Sequence, residues 1–154
     1  MGTLAKAFPE EDREQYASQN VLPGKVLYLW CDFGDGTRKD KYLVVACANG
    51  PTILLTINSD LHQNMSRNPR WLACQALLKA SDYEFLSVDS WVNCAKINDL
   101  FDSRESVEEQ LRDDPSRVRG DLSRSDRQAI LSAAMRANTL TVSQKKAIVA
   151  ALDC

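Results

Sequence analysis

The first 23 residues are polar and charged, with Pro9, a Glu10-Glu11-Asp12 cluster and Pro23, and read as either a short helix or a loosely held arm. The character then changes. Val26-Leu27-Tyr28-Leu29-Trp30-Cys31 is β-branched and aromatic, with Pro23-Gly24 before it and Gly34-Asp35-Gly36 after, which predicts a strand between turns. Tyr42-Leu43-Val44-Val45-Ala46-Cys47 and Thr52-Ile53-Leu54-Leu55-Thr56-Ile57 read as two more strands. Asn49-Gly50 between them is the dipeptide that best tolerates positive φ in a tight hairpin. Residues 25–57 are therefore expected to form a three-stranded antiparallel meander, packed with later strands into a small barrel.

Asn58-Ser59-Asp60 is a turn or helix-cap cluster leading into a polar stretch through Pro69. The short apolar run Leu72–Leu78 fits a helix or a buried strand by periodicity. A strand is favoured, because the run from Ser87 through Trp91 to Cys94 reads as another strand and needs a partner. From about residue 99 the pattern turns helical. Ser103 can cap a helix with Val107 and Leu111 on one face, ended by Pro115. Ser123 or Ser125 opens a second, where Ile130, Leu131, Ala134 and Met135 form a stripe. Thr141-Val142-Ser143-Gln144 is a capping box that opens a third, lined by Ala147, Ile148, Ala151 and Leu152. Trp30, Val44, Leu54, Trp91, Ile130 and Ile148 are the expected core.

Strands followed by helices indicate an α+β fold. A length of 154 residues, with no repeat and no low-complexity linker, fits one domain: an N-terminal arm to residue 22, a β-barrel core over 23–100 and a helical part over 101–154. The net charge of −2 argues against a broadly basic nucleic-acid coat and leaves room for a local phosphate site. The five cysteines are odd in number and make no C-x-x-C pair, so buried, reduced thiols in a cytoplasmic protein are expected. The lone His62 and the scattered cysteines lack zinc-ligand spacing, and neither metal nor cofactor is expected. With no signal-peptide pattern and no apolar run near the ~20 residues that span a bilayer, the chain reads as soluble, without a membrane role.

Walker loops, G-x-G-x-x-G, H-E-x-x-H and nucleophile elbows are absent. Gly34-Asp35-Gly36 precedes a strand, so it is a hairpin turn and not a phosphate loop. What remains is set by chain geometry. The basic run Thr37-Arg38-Lys39-Asp40-Lys41 is expected in the loop between strands one and two, and Asn58-Ser59 and His62 lie just past strand three. In a meander those two points share one end of a hairpin. Cations beside amide and hydroxyl donors suit a phosphate that gains charge in a transition state. The alternative is a solvated charge cluster plus an Asx or Ser cap.

The order Pro-Gly-Lys-Val-Leu-Tyr-Leu-Trp (23–30), Lys-Tyr-Leu-Val-Val (41–45), Ile-Leu-Leu-Thr-Ile-Asn-Ser (53–59) and Phe-Leu-Ser-Val-Asp-Ser-Trp-Val (85–92) resembles the MazF/PemK (Kid) toxins. The resemblance covers roughly residues 23–100 and implies a small SH3-like or CcdB-like antiparallel β-barrel with appended helices. It also implies a homodimer, held by a cognate antitoxin, that cleaves single-stranded RNA without a metal through attack by the 2′-hydroxyl. The family's arginine-proline before strand two falls on Asp40-Lys41, and a one-residue slip puts Lys41 in the arginine's place. Its strand-three threonine falls on Asn58, with Ser59 as the hydroxylic neighbour. A lysine gives a point charge where an arginine gives a planar fork. Asp40 would repel phosphate, and Arg38 or Lys39 could compensate from the loop. On this reading Lys41, Asn58 and Ser59 are catalytic, and His62 is the fallback proton carrier because its ordinary pKa lies near neutrality. Arg38, Lys39, Asp89 and Ser90 would contact substrate, although Asp89-Ser90 also reads as the polar face of a strand. Two alternatives share the fold: a catalytically degenerate protein-binding module, and a CcdB-like toxin acting on a protein target.

Overall fold

A computed structural model describes residues 9–60, 67–101 and 103–153. The expected meander is present. Strand β1 (Lys25–Asp32) pairs antiparallel with β2 (Arg38–Cys47), Val26 opposite Val44, and β2 with β3 (Ile53–Asn58), Leu43 opposite Thr56. Gly50 sits at φ 90°, as the Asn49-Gly50 turn requires. Three further strands, β4 (Gln75–Leu78), β5 (Ser90–Asn98) and β6 (Val118–Asp121), complete one antiparallel sheet in the order β4-β5-β3-β2-β1-β6. The sheet curls into a half-barrel, and with the helices the chain is α+β.

The described helices are α1 (Glu10–Asn20), α2 (Pro69–Leu72), α3 (Arg104–Asp113), α4 (Arg124–Met135) and α5 (Val142–Leu152). The ambiguous run divides between both readings. Asn68 accepts from the Arg70 amide and Pro69 occupies the first helical turn, so the chain winds briefly as α2 before extending as β4. As expected, β4 pairs with β5. Ser103 caps α3, Ser123 caps α4, and Thr141 and Gln144 form the capping box of α5.

Both faces of the sheet are covered, which explains why β2 is buried without a break from Leu43 to Cys47. On one face Leu27, Leu29, Leu43, Val45 and Leu54 pack with Ala17 and Val21 of the α1 region and with Val107 and Leu111 of α3. On the other, Val26, Val44, Leu55 and Val92 pack with Ile130, Ala134, Ile148 and Leu152. The N-terminal segment thus contributes a core helix and not a loose arm. Gly24 makes the bend before β1 at φ 89°, where any Cβ would also meet Arg127 Cδ at 2.9 Å.

Val44, Leu54, Ile130 and Ile148 are fully or almost fully buried, whereas Trp91 is half-buried. Trp30 departs from expectation at 48% exposed. It lies on the face opposite Leu29 near the end of β1, and its backbone N–H and C=O are held by the Gln110 side chain at 2.8 and 3.0 Å. Met135, at the end of α4, is likewise exposed. No helix among the described residues is long and apolar enough to cross a membrane.

Candidate functional site

The basic run is not a loop. β2 begins at Arg38, so Arg38 through Lys41 pair directly with Asp32 through Leu29. Arg38 is engaged by Asp32 across the hairpin, Nε to Oδ2 at 3.1 Å, in an exposed ion pair. Lys39 stands exposed opposite Cys31.

Lys41 and Asn58 do converge. The Lys41 ammonium donates to Asn58 Oδ1 at 3.1 Å, joining the first part of β2 to the last residue of β3. That acceptor role fixes the amide: with Oδ1 toward Lys41, Nδ2 is free to donate outward. Among the described residues Lys41 makes no ion pair, so a neutral amide leaves its charge uncompensated. Desolvation, and then the like charge of Lys39, lower its pKa from the ordinary 10.5.

Asp40 is neutralised by a residue that the sequence did not flag. Arg117, from the single turn Pro115–Arg117 before β6, donates Nη1 to Asp40 Oδ1 at 2.7 Å and to the Tyr28 carbonyl at 2.7 Å. The same short segment carries Arg119, whose guanidinium lies 4.8 Å from the centroid of the Tyr28 ring. Tyr28 stacks in turn on Tyr42 at 4.5 Å, and Tyr42 on Phe85 at 5.4 Å. Tyr28 and Tyr42 are directly paired, so register knowledge would have found that contact; nothing in the sequence announces the two arginines.

A cleft of about 350 Å³ at the end of the sheet is lined by Tyr28, Lys39, Asp40, Lys41, Tyr42 and Ser59 among others, whereas Asn58, Arg117 and Arg119 do not line it. Ser59 is exposed there. Ser90 is buried and donates to the Val88 carbonyl at 3.0 Å, which commits its proton. Asp89 is absent from the lining and accepts from the Ala80 amide at 2.8 Å, capping the turn Ala80–Asp82. His62 lies outside the described residues. A larger, mostly apolar groove, lined by Asp12, Arg13, Tyr16, Pro115 and Ser116 among others, contains none of the expected site residues.

No group of three or more His, Cys, Asp and Glu side chains among the described residues is placed to hold a metal. Cys31, Cys47, Cys74 and Cys94 are buried free thiols, and Cys154 lies outside the described residues. Burial pushes the Cys31 thiol up to about 11 and the Cys94 thiol up to about 12.

Compared with known proteins, the chain matches no protein-family profile and no curated protein. The likeness to the MazF/PemK toxins therefore rests on the residues themselves.

Proposed function

We propose that the corner where β2 begins and β3 ends binds the phosphodiester of single-stranded RNA and promotes its cleavage without a metal. One observation carries this reading: a partly desolvated lysine is held by a neutral amide, and its charge is left for an anion. The 2′-hydroxyl gives its proton to solvent water as its oxygen forms a bond to phosphorus, the bond to the 5′-oxygen breaks and that oxygen takes a proton, and a cyclic phosphate and a 5′-hydroxyl result. Charge builds on the non-bridging oxygens between those events. Lys41 Nζ is held by Asn58 Oδ1, and Lys41 and Ser59 both line the cleft, so cation, amide and hydroxyl stand close together for a phosphate. The lowered pKa makes the Lys41 ammonium a better proton donor to the departing 5′-oxygen. Arg117 keeps Asp40 from repelling the phosphate. The curled sheet and the order of the motifs support an SH3-like or CcdB-like toxin fold. A homodimer, a cognate antitoxin, a cytoplasmic setting and RNA as the substrate follow from that likeness, whereas the corner's own chemistry supports an anion such as a phosphate.

Binding without cleavage is the second reading. It is favoured by the pairing of two guanidinium groups near the corner, Arg38 to Asp32 and Arg117 to Asp40. Cleavage of a mixed-sequence single-stranded RNA in EDTA decides between them. The wild-type chain should cleave, and Lys41→Ala and Asn58→Ala should each lose about 10²–10³ in rate. Cleavage that needs a metal, or that ignores both substitutions, rejects the mechanism. RNA retained but never cut selects the binding-only reading.

A further inference from the structure

The pairing register extends the Lys41–Asn58 corner across the sheet. Lys41 is bonded to Asn58, Asn58 is paired with Trp91 of β5, and Trp91 with Leu77 of β4. Directly paired residues of an antiparallel sheet project from the same face. Which face follows from their neighbours: Val92, Ala76 and Leu78 all point into the core beneath α4 and α5. Trp91 and Leu77 therefore point the other way, onto the face that carries Lys41. On that face α1 and α3 pack against residues of β1, β2 and β3, and the helix contacts of β4 and β5 come chiefly from α4 on the opposite side.

The result is a half-buried indole beside an exposed leucine, which is 42% accessible, in one row with a cation and an amide. Gln75 and Asn93, paired on the same face and bonded to each other at 3.0 Å, lie one step farther along the strands, with Asn93 buried and Gln75 half-buried. Strands lie about 4.8 Å apart, so Trp91, two strands from Lys41, sits on the order of 10 Å from it along the row. A flat apolar ring at that reach from an uncompensated cation matches a nucleotide, which joins a flat aromatic base to a negative phosphate. An apolar peptide would leave the lysine unanswered, and a simple phosphate would leave the indole bare.

We infer that Trp91, seated against Leu77, is a stacking platform for an unpaired nucleobase adjoining the phosphate held by Lys41 and Asn58. This rests on the RNA reading of the corner and adds a residue that recognises the base and not the backbone. Stacking is tolerant of sequence, because every base has a π-face. The platform thus selects an unpaired base without choosing which one.

The test uses the full chain and two probes of equal length at low salt: a single-stranded RNA heptamer, and a ribose-phosphate heptamer lacking bases. Wild type should bind the heptamer with bases more tightly. Trp91→Ala should weaken that binding by about 5- to 150-fold, the range that corresponds to losing one stacked base. It should leave affinity for the base-free probe unchanged, which also confirms that the variant is folded. Trp91→Phe should restore most of the loss. Leu77→Ala, an exposed change on the same shelf, should weaken only the heptamer with bases. If wild type binds both probes equally, or Trp91→Ala weakens both alike, the corner still binds RNA but the platform is wrong. If neither probe binds, the RNA reading of the corner fails and the platform fails with it.

Discussion

A lysine held by an amide behaves differently from one held by a carboxylate. The amide helps fix the ammonium in place without supplying the negative charge that would raise its pKa, so desolvation and Lys39 prevail and the value falls. RNA cleavage that depends on the protonated form should therefore decline as pH rises through that lowered value, earlier than an ordinary lysine at 10.5 would impose. Lys41→Arg, which does not titrate in this range, should remove the alkaline decline even where it reduces the rate. A pH–rate profile unchanged in Lys41→Arg would show that another group sets the limb. The thiols behave in the opposite sense. Cys31 and Cys94 are raised from 9.0 to about 11 and about 12, so the neutral form is the folded one. Their contribution to stability is complete below about 9 and is lost as pH climbs through the folded values. A thiol reagent near neutral pH should label at most one cysteine of the native chain, and all five once it is unfolded.

Elements were legible where local chemistry dictates them. The hairpin needs a residue at positive φ and finds Gly50; α5 needs two orphan amides satisfied and finds Thr141 and Gln144. Thr141→Ala should lower stability by about 1 kcal/mol, read from denaturant midpoints. Val44→Ala and Ile130→Ala remove fully buried groups on either side of one interface and should each cost about 1–4 kcal/mol. Midpoints unchanged in both would contradict their place in the core. Strand β6 was not legible. Val118-Arg119-Gly120-Asp121 carries one large apolar residue, and it extends because β1 offers an open edge, with Lys25 and Asp121 clasped at 2.9 Å. Such a strand is specified by its partner and not by its own composition. The candidate site was half legible for the same reason. Lys41 and Asn58 could be brought together from one hairpin, whereas Arg117 and Trp91 reach the site through pairings distant in the chain.

At the scale of the molecule, sequence order conceals a division of labour. The meander supplies the centre of the sheet, but one face is closed by α1 with α3 and the other by α4 with α5. A fragment ending at residue 101 would keep α1 but lose α3 over Leu27, Leu43 and Val45 on one side, and would bare Val26, Val44 and Leu55 on the other. It should bind hydrophobic dyes and show no cooperative urea transition. A sharp transition in that fragment would mean that the strands stand without the later helices.

Arg117 reaches Asp40 from 77 positions downstream, and this separation gives the chain a history as well as a shape. At about 5–20 residues per second, a ribosome adds those positions in roughly 4–15 s. Through that interval Asp40 lacks its cation, and a bare carboxylate stands where a phosphate would have to approach. Every growing chain is made beside ribosomal RNA. On the proposed reading, the corner can take an anion only once the segment carrying Arg117 has emerged and reached Asp40.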